Sequence, residues 1–179
     1  MDAIKQINGV LQGDLISPLL FNLATANVTS VLEGMLNTLL IMYADDMVLG
    51  STDKEQLQAA IQKLERWAGE NSFHINKEKT FQITFRRGGK ISKQDNLILC
   101  NEPLEIVSRF KYLGVTSQTT AKSFSYHIQE RSAVATKSIF SIKNLTHLSL
   151  PIAMMLFNTV ISPIATYGTR ASVGETDGL

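Results

Sequence analysis

Leu39-Leu40-Ile41-Met42-Tyr43-Ala44-Asp45-Asp46-Met47-Val48-Leu49-Gly50 sets two apolar runs of strand length around a polar centre. An isolated ionised carboxylate is heavily penalised inside a core unless it is paired or binds metal. Aspartate is also a turn former, and short apolar runs on either side of a turn read as a hairpin. The segment therefore predicts a hairpin with Asp45 and Asp46 at its tip, where both could face one divalent cation. An Asp-Asp pair also serves as a plain solvated turn, so taken alone the stretch leaves both readings open.

The surroundings narrow the choice. A chain of 179 residues, 44% hydrophobic and 18% charged, can bury a core and is not compositionally disordered. Its single cysteine, Cys100, excludes an internal disulfide framework and a cysteine-based zinc site, and fits a reducing compartment. The opening Met1-Asp2-Ala3-Ile4-Lys5-Gln6 lacks the apolar core of a secretory signal, so an intracellular protein, cytoplasmic or nuclear, is expected. Net charge is +1, but its distribution is uneven. Residues 1–76 carry 4 basic and 9 acidic side chains, whereas residues 77–143 carry 12 basic and 5 acidic ones. An acidic first part beside a basic second part suits a carboxylate metal site next to a phosphate-binding surface. It equally suits ordinary solvated faces.

Around the hairpin the elements read as follows. Gly9 and Gly13 bracket a short turn, and Ser17-Pro18 predicts a helix start with Ser17 as N-cap. Apolar residues continue near one stripe to Met35, with Gly34 and Asn37 as the stop. Thr52-Asp53-Lys54-Glu55 reads as a capping box led by Thr52. Leu57, Ala60, Ile61, Leu64, Trp67 and Ala68 then repeat at helical spacing, with Trp67 as a packing residue. Phe81 to Phe85 alternates as a strand, and Arg86-Arg87-Gly88-Gly89-Lys90 is a basic turn. Leu97–Cys100 and Leu104–Val107 predict a hairpin turning at Asn101-Glu102-Pro103, and Phe110–Val115 one further strand. From about Ser123 the pattern is helical, with Ile128, Val134, Ala135, Ile139, Phe140 and Ile142 as one apolar face. Pro151 should open a helix and Pro163 kink or end one. His147 to Thr169 contains no charged residue, but its prolines, Asn158 and hydroxyls favour a buried bundle helix over a membrane span. The order predicts an α+β fold with a mostly antiparallel sheet.

Four of these pieces, in this order, carry a resemblance. Gly9-Val10-Leu11-Gln12-Gly13-Asp14-Leu15-Ile16-Ser17-Pro18-Leu19-Leu20-Phe21-Asn22 resembles the G-V-x-Q-G-D-x-x-S-P motif of reverse transcriptases. Tyr43-Ala44-Asp45-Asp46 looks like the Y-x-D-D box of that family. Ile75-Asn76 with Lys79-Thr80 is similar to the motif I-N-x-x-K-T, and Phe110-Lys111-Tyr112-Leu113-Gly114 to the F-x-Y-L-G strand that grips the primer. The overall style is closest to the LINE-type, non-LTR retrotransposons of animals. The resemblance implies a partial polymerase palm over residues 1–120 and a helical thumb-like region over residues 121–179. The implied activity is RNA-directed DNA polymerisation by two-metal nucleotidyl transfer with Mg²⁺ (or Mn²⁺), acting on an RNA template, a DNA primer and deoxynucleoside triphosphates. Asp45 is the implied principal metal ligand and Asp46 the weaker one. Lys79 is a candidate cation near the triphosphate. Gln12, Gly13, Tyr43 and Ala44 fall at template and nucleotide positions, and Tyr112, Leu113 and Gly114 at the primer grip.

The departures set limits. The family carries another metal-binding aspartate on a strand upstream of the G-V-x-Q-G motif. Asp2 lies too close to Gly9 to take that part. Leu11 stands where a basic residue is frequent, and Leu15 where proline is frequent. The expectation is a palm-and-thumb fragment, inactive as an isolated chain and missing the N-terminal part of the polymerase, with an exposed apolar patch. The alternative is a non-catalytic nucleic-acid-binding remnant of a retroelement.

Overall fold

The computed structural model describes residues 9–11, 13–85, 95–119, 124–142 and 148–169. The predicted basic turn at 86–90 and Gln12 lie outside them. Among the described residues the fold is α+β, and its sheets are four two-stranded ladders, three of them hairpins, rather than one continuous sheet. The chain divides into two units, one formed by residues 1–80 and 92–105, the other by 81–91 and 106–179.

The first unit is built on the predicted hairpin. Strands β1 (Thr38–Tyr43) and β2 (Asp46–Ser51) pair antiparallel from Thr38 opposite Ser51 to Tyr43 opposite Asp46. Alternation sends Leu40, Met42 and Leu49 inward. There they meet the buried residues Val28, Leu64, Trp67 and Ala68. The opposite face leaves Leu39 58%, Ile41 45% and Tyr43 65% exposed, which is the expected apolar patch.

Ahead of the hairpin, α1 (Ser17–Ala24) is shorter than its apolar stripe suggests, and a 3₁₀ turn at Thr29–Leu32 follows it. Ser17 is not the cap. It lies inside the helix, buried, and its hydroxyl donates to the Leu11 carbonyl at 2.6 Å. The hydroxyl is drawn to a carbonyl of the preceding turn instead of to the helix N-terminus. Gly34 and Asn37 do punctuate the chain, both at positive φ.

Helix α2 (Lys54–Glu70) buries Ala60, Ile61, Leu64, Trp67 and Ala68, as its spacing predicts. Its cap is Asp53 rather than Thr52, because the Asp53 carboxylate accepts the N–H groups of Glu55 and Gln56 at 2.9 and 3.4 Å. A carboxylate also complements the positive end of the helix dipole better than a hydroxyl does. Trp67 is a packing residue. It stacks on Phe73 with ring centroids 5.2 Å apart, and its indole N–H donates to Asn27 Oδ1 at 3.0 Å.

Strands β3 (Phe81–Gln82), β4 (Ile98–Leu99), β5 (Glu102–Pro103) and β6 (Glu105–Ile106) are dipeptides. The strand predicted for Phe81–Phe85 thus stops at Gln82. The β4–β5 hairpin turns at Cys100-Asn101, one step earlier than predicted, with both turn residues at positive φ and Glu102 already opposite Leu99. That is the mirror-image turn whose twist matches a hairpin, and a proline cannot serve it. Leu97, Leu99 and Leu104 pack on Ile61 of α2. The Gln58 amide closes the contact like an extra strand residue, donating to the Ile98 carbonyl at 2.8 Å and accepting its N–H at 2.7 Å.

In the second unit, the strand predicted over Phe110–Val115 is a hairpin. Strand β7 (Arg109–Tyr112) pairs with β8 (Val115–Gln118) across Leu113-Gly114. Helix α3 (Ser125–Ser141) follows, then α4 (Leu150–Leu156), a π-helical segment Phe157–Ile161 and α5 (Ser162–Thr166). The π segment sits just before Pro163, whose missing N–H and bulky ring disrupt the regular ladder at that point. The predicted face of α3 is only partly right. Ala135 is buried, but Ile128 and Phe140 are exposed, and the inward line is centred on His127. Counting apolar residues alone overlooks a histidine that is buried because both ring nitrogens have partners. Nor is α4 a buried helix: Leu150 is 75% and Met155 60% exposed. No helix among the described residues is long and apolar enough to cross a membrane.

Candidate active site

The hairpin tip brings four predicted site residues together. Tyr43 and Asp46 face one another as the last ladder pair, and Ala44 and Asp45 form the two-residue turn. Ala44 has φ 50°, a value at which an L-residue is strained. All four are exposed. Among the described residues, neither the Asp45 nor the Asp46 carboxylate has a hydrogen bond or ion pair. Two unpaired acids beside each other at a strained turn are a costly way to make a loop and a ready way to present oxygen donors.

Those donors suit Mg²⁺, a hard cation that takes one or two carboxylates and completes its shell with water and substrate phosphates. Asp45 and Asp46 would hold it. Among the described residues no group of three metal-ligating side chains gathers.

Among the described residues no side-chain hydrogen bond or ion pair joins the other predicted residues of this unit to the two carboxylates. Gly13 has φ 92°, so it needs glycine for its backbone, and a Cβ there would meet nothing within 4 Å. An open glycine turn leaves room for a ligand to approach the backbone. Lys79 ends a 3₁₀ turn, Lys77–Lys79, whose Asn76 cap accepts the Lys79 N–H at 3.2 Å. Its own ammonium makes no ion pair among the described residues. The neighbouring Lys77 does, with Glu102.

Tyr112, Leu113 and Gly114 come together at the tip of the β7–β8 hairpin, in the second unit. Leu113 at φ 48° and Gly114 at φ 80° make the tight mirror-image turn. The Tyr112 hydroxyl is shut away from solvent and has no hydrogen-bond partner among the described residues. Around this hairpin lie polar residues that sequence reading missed. Glu130 of α3 accepts the Thr116 hydroxyl at 2.7 Å and the Lys111 ammonium at 3.1 Å. These two hydrogen bonds hold its carboxyl below the usual glutamate range. The Arg109 guanidinium stacks 4.4 Å over the Tyr126 ring. The His127 ring accepts the Thr116 N–H at Nδ1, 3.2 Å, and donates from Nε2 to the Tyr167 carbonyl, 2.9 Å. The nearest sequence signal for the last contact is Tyr167-Gly168, a turn-forming pair in an uncharged stretch.

Residues 2–117 match the model of the reverse transcriptase (RNA-dependent DNA polymerase) family. A match over more than half the chain places this protein in that family. Its similarity extends to the retrovirus-related Pol polyprotein from type-1 retrotransposable element R2 of Nasonia vitripennis, at 32% identity over 129 residues. That alignment covers 63% of this chain and 12% of the relative, so the chain corresponds to a small part of that polyprotein. The resemblance to non-LTR reverse transcriptases is thereby supported. No solved structure matches.

Proposed function

We propose that this chain supplies the metal-binding hairpin and the primer-holding hairpin of an RNA-directed DNA polymerase from a non-LTR retrotransposon. In this reading residues 1–120 are part of the palm and residues 121–179 a thumb-like region. The observation that carries it is the pair of unpartnered carboxylates, Asp45 and Asp46, at an exposed hairpin tip inside a reverse transcriptase match.

A divalent cation bound there supplies positive charge at the transferring phosphoryl group. Asp45 holds it as principal ligand and Asp46 supports it from the first position of β2. Gly13 lies against template and incoming nucleotide, where its open backbone admits a base or phosphate, and the family motif gives Gln12 the same part. Tyr43 and Ala44 border the same nucleotide, and the Lys79 ammonium faces the triphosphate. Tyr112, Leu113 and Gly114 hold the primer terminus. In the family's geometry two carboxylates alone do not hold both ions, so in this reading the isolated chain binds a cation and primer–template without extending the primer.

The test uses the purified chain. Mn²⁺ should broaden the amide resonances of residues 44–47 selectively, and Asp45→Asn should abolish that effect. An RNA template annealed to a DNA primer should bind with a steep salt dependence. Uniform broadening, or none, would overturn the metal site. Primer extension with Mg²⁺, lost in Asp45→Ala, would overturn the inactivity of the isolated chain. Duplex binding that is indifferent to Mn²⁺, Asp45 and Asp46 would favour the non-catalytic nucleic-acid-binding remnant.

A further inference from the structure

The tip of the β7–β8 hairpin is held by a segment 54 residues away. The Tyr167 hydroxyl donates to the Leu113 carbonyl at 2.7 Å. The same residue's carbonyl accepts from His127 Nε2 at 2.9 Å, while His127 Nδ1 takes the Thr116 N–H of β8. One tyrosine is therefore tied at both ends, by its side chain to the turn and by its backbone, through His127, to the strand leaving that turn. The close approach is built in. A Cβ on Gly114 would come within 2.8 Å of the Tyr167 ring, and one on Gly168 within 2.8 Å of Val115 Cγ2 and 2.9 Å of His127 Nε2. His127 is 1% exposed, so its two hydrogen bonds are made away from competing water. The Arg131 guanidinium lies over the Tyr167 ring, 5.7 Å from its centroid.

A two-residue turn on four-residue strands is too small to fix its own tip, since an isolated two-stranded hairpin is marginal in water. We propose that Tyr167, Gly168 and His127 form a latch that fixes Leu113-Gly114 in the position from which the tip holds the end of a primer. Tyr167 and His127 act through the turn and are positioning residues. This rests on the reading of the β7–β8 tip as primer-holding.

Tyr167→Phe keeps the ring against Gly114 and deletes only the 2.7 Å hydrogen bond. Losing one such bond should speed amide hydrogen exchange at residues 113–116 by roughly fivefold, with the amides of α2 unchanged. The binding probe is a labelled RNA–DNA hybrid with a recessed DNA 3′ end, set against a blunt hybrid of the same length. The intact chain should prefer the recessed end. Tyr167→Phe should lose most of that preference while binding the blunt hybrid as before, a split that general destabilisation would not give. Unchanged exchange at 113–116 would sink the latch. A preference retained in full by Tyr167→Phe would sink its positioning role. An intact chain without any preference would remove the primer-holding reading itself and the positioning role with it, leaving exchange to decide the latch alone.

Discussion

Glu130 on α3 accepts the hydroxyl of Thr116 on β8 at 2.7 Å and, with its other oxygen, the ammonium of Lys111 on β7 at 3.1 Å. One carboxylate thus ties both strands of the hairpin to a helix. Thr116 is buried and Lys111 half out in solvent, so the hydroxyl bond is the better protected of the two.

The pH dependence follows from that contact. The folded pKa of Glu130 is lowered, chiefly by the Thr116 hydroxyl and then by Lys111. The stabilisation is therefore fully present above the unfolded glutamate pKa and is lost as pH falls through the lowered folded value. Hydrogen exchange at residues 109–118 should accelerate across that acidic range. Glu130→Gln should remove the acid-dependent step and leave the hairpin looser at neutral pH.

At the β1–β2 tip, Ala44 occupies a backbone conformation that glycine adopts without strain. Ala44→Gly should raise stability by about 0.5–1 kcal/mol, the relief of strain exceeding the added entropy of the unfolded chain. Urea denaturation checks the shift. An unchanged or lower midpoint would show that the turn tolerates alanine.

For α2, the Asp53 cap makes a sharp distinction between neighbours. Asp53→Ala should cost about 1 kcal/mol, because the N–H groups of Glu55 and Gln56 lose their acceptor. Thr52→Ala should fall within about 0.5 kcal/mol of the parent. Equal losses would return the cap to Thr52.

Trp67 is the single tryptophan, so its fluorescence reports the first unit. Asn27→Ala leaves the buried indole N–H without its acceptor and should cost about 1–3 kcal/mol, with a shifted emission. Trp67→Phe, which also removes the donor, should be recovered in part by Asn27→Leu. Absence of coupling in that double-mutant cycle would rule out the bond.

The orphan hydroxyl of Tyr112 gives a prediction of opposite sign. With no partner for the buried group among the described residues, Tyr112→Phe should leave stability unchanged or raise it by about 1 kcal/mol. A loss of 2 kcal/mol or more, on the order of a buried polar bond broken, would show that the hydroxyl is paired.

Local chemistry is what the sequence displays. The β1–β2 hairpin and the buried face of α2 depend on neighbours a few residues apart, and those readings stand. The errors are of two kinds. Where adjacent residues compete for one role, as Thr52 and Asp53 do for a cap, or Ser17 between a helix end and the Leu11 carbonyl, pattern does not choose the winner. Where a residue's state depends on a distant partner, pattern is blind. Gln58 reads as a solvated face, yet it completes the edge of β4. His127 falls outside the apolar face read from the sequence, yet it is buried because Thr116 and Tyr167 satisfy both nitrogens.

By itself, then, the sequence determined the family motifs, their order and the hairpin that presents Asp45 and Asp46, because turn propensity and side-chain alternation act over a few residues. Only the tertiary structure decided that Leu113-Gly114 is a turn and that Tyr167 holds it. A hydrogen bond spanning 54 residues leaves no periodic trace, since its energy is won after the chain has closed that distance.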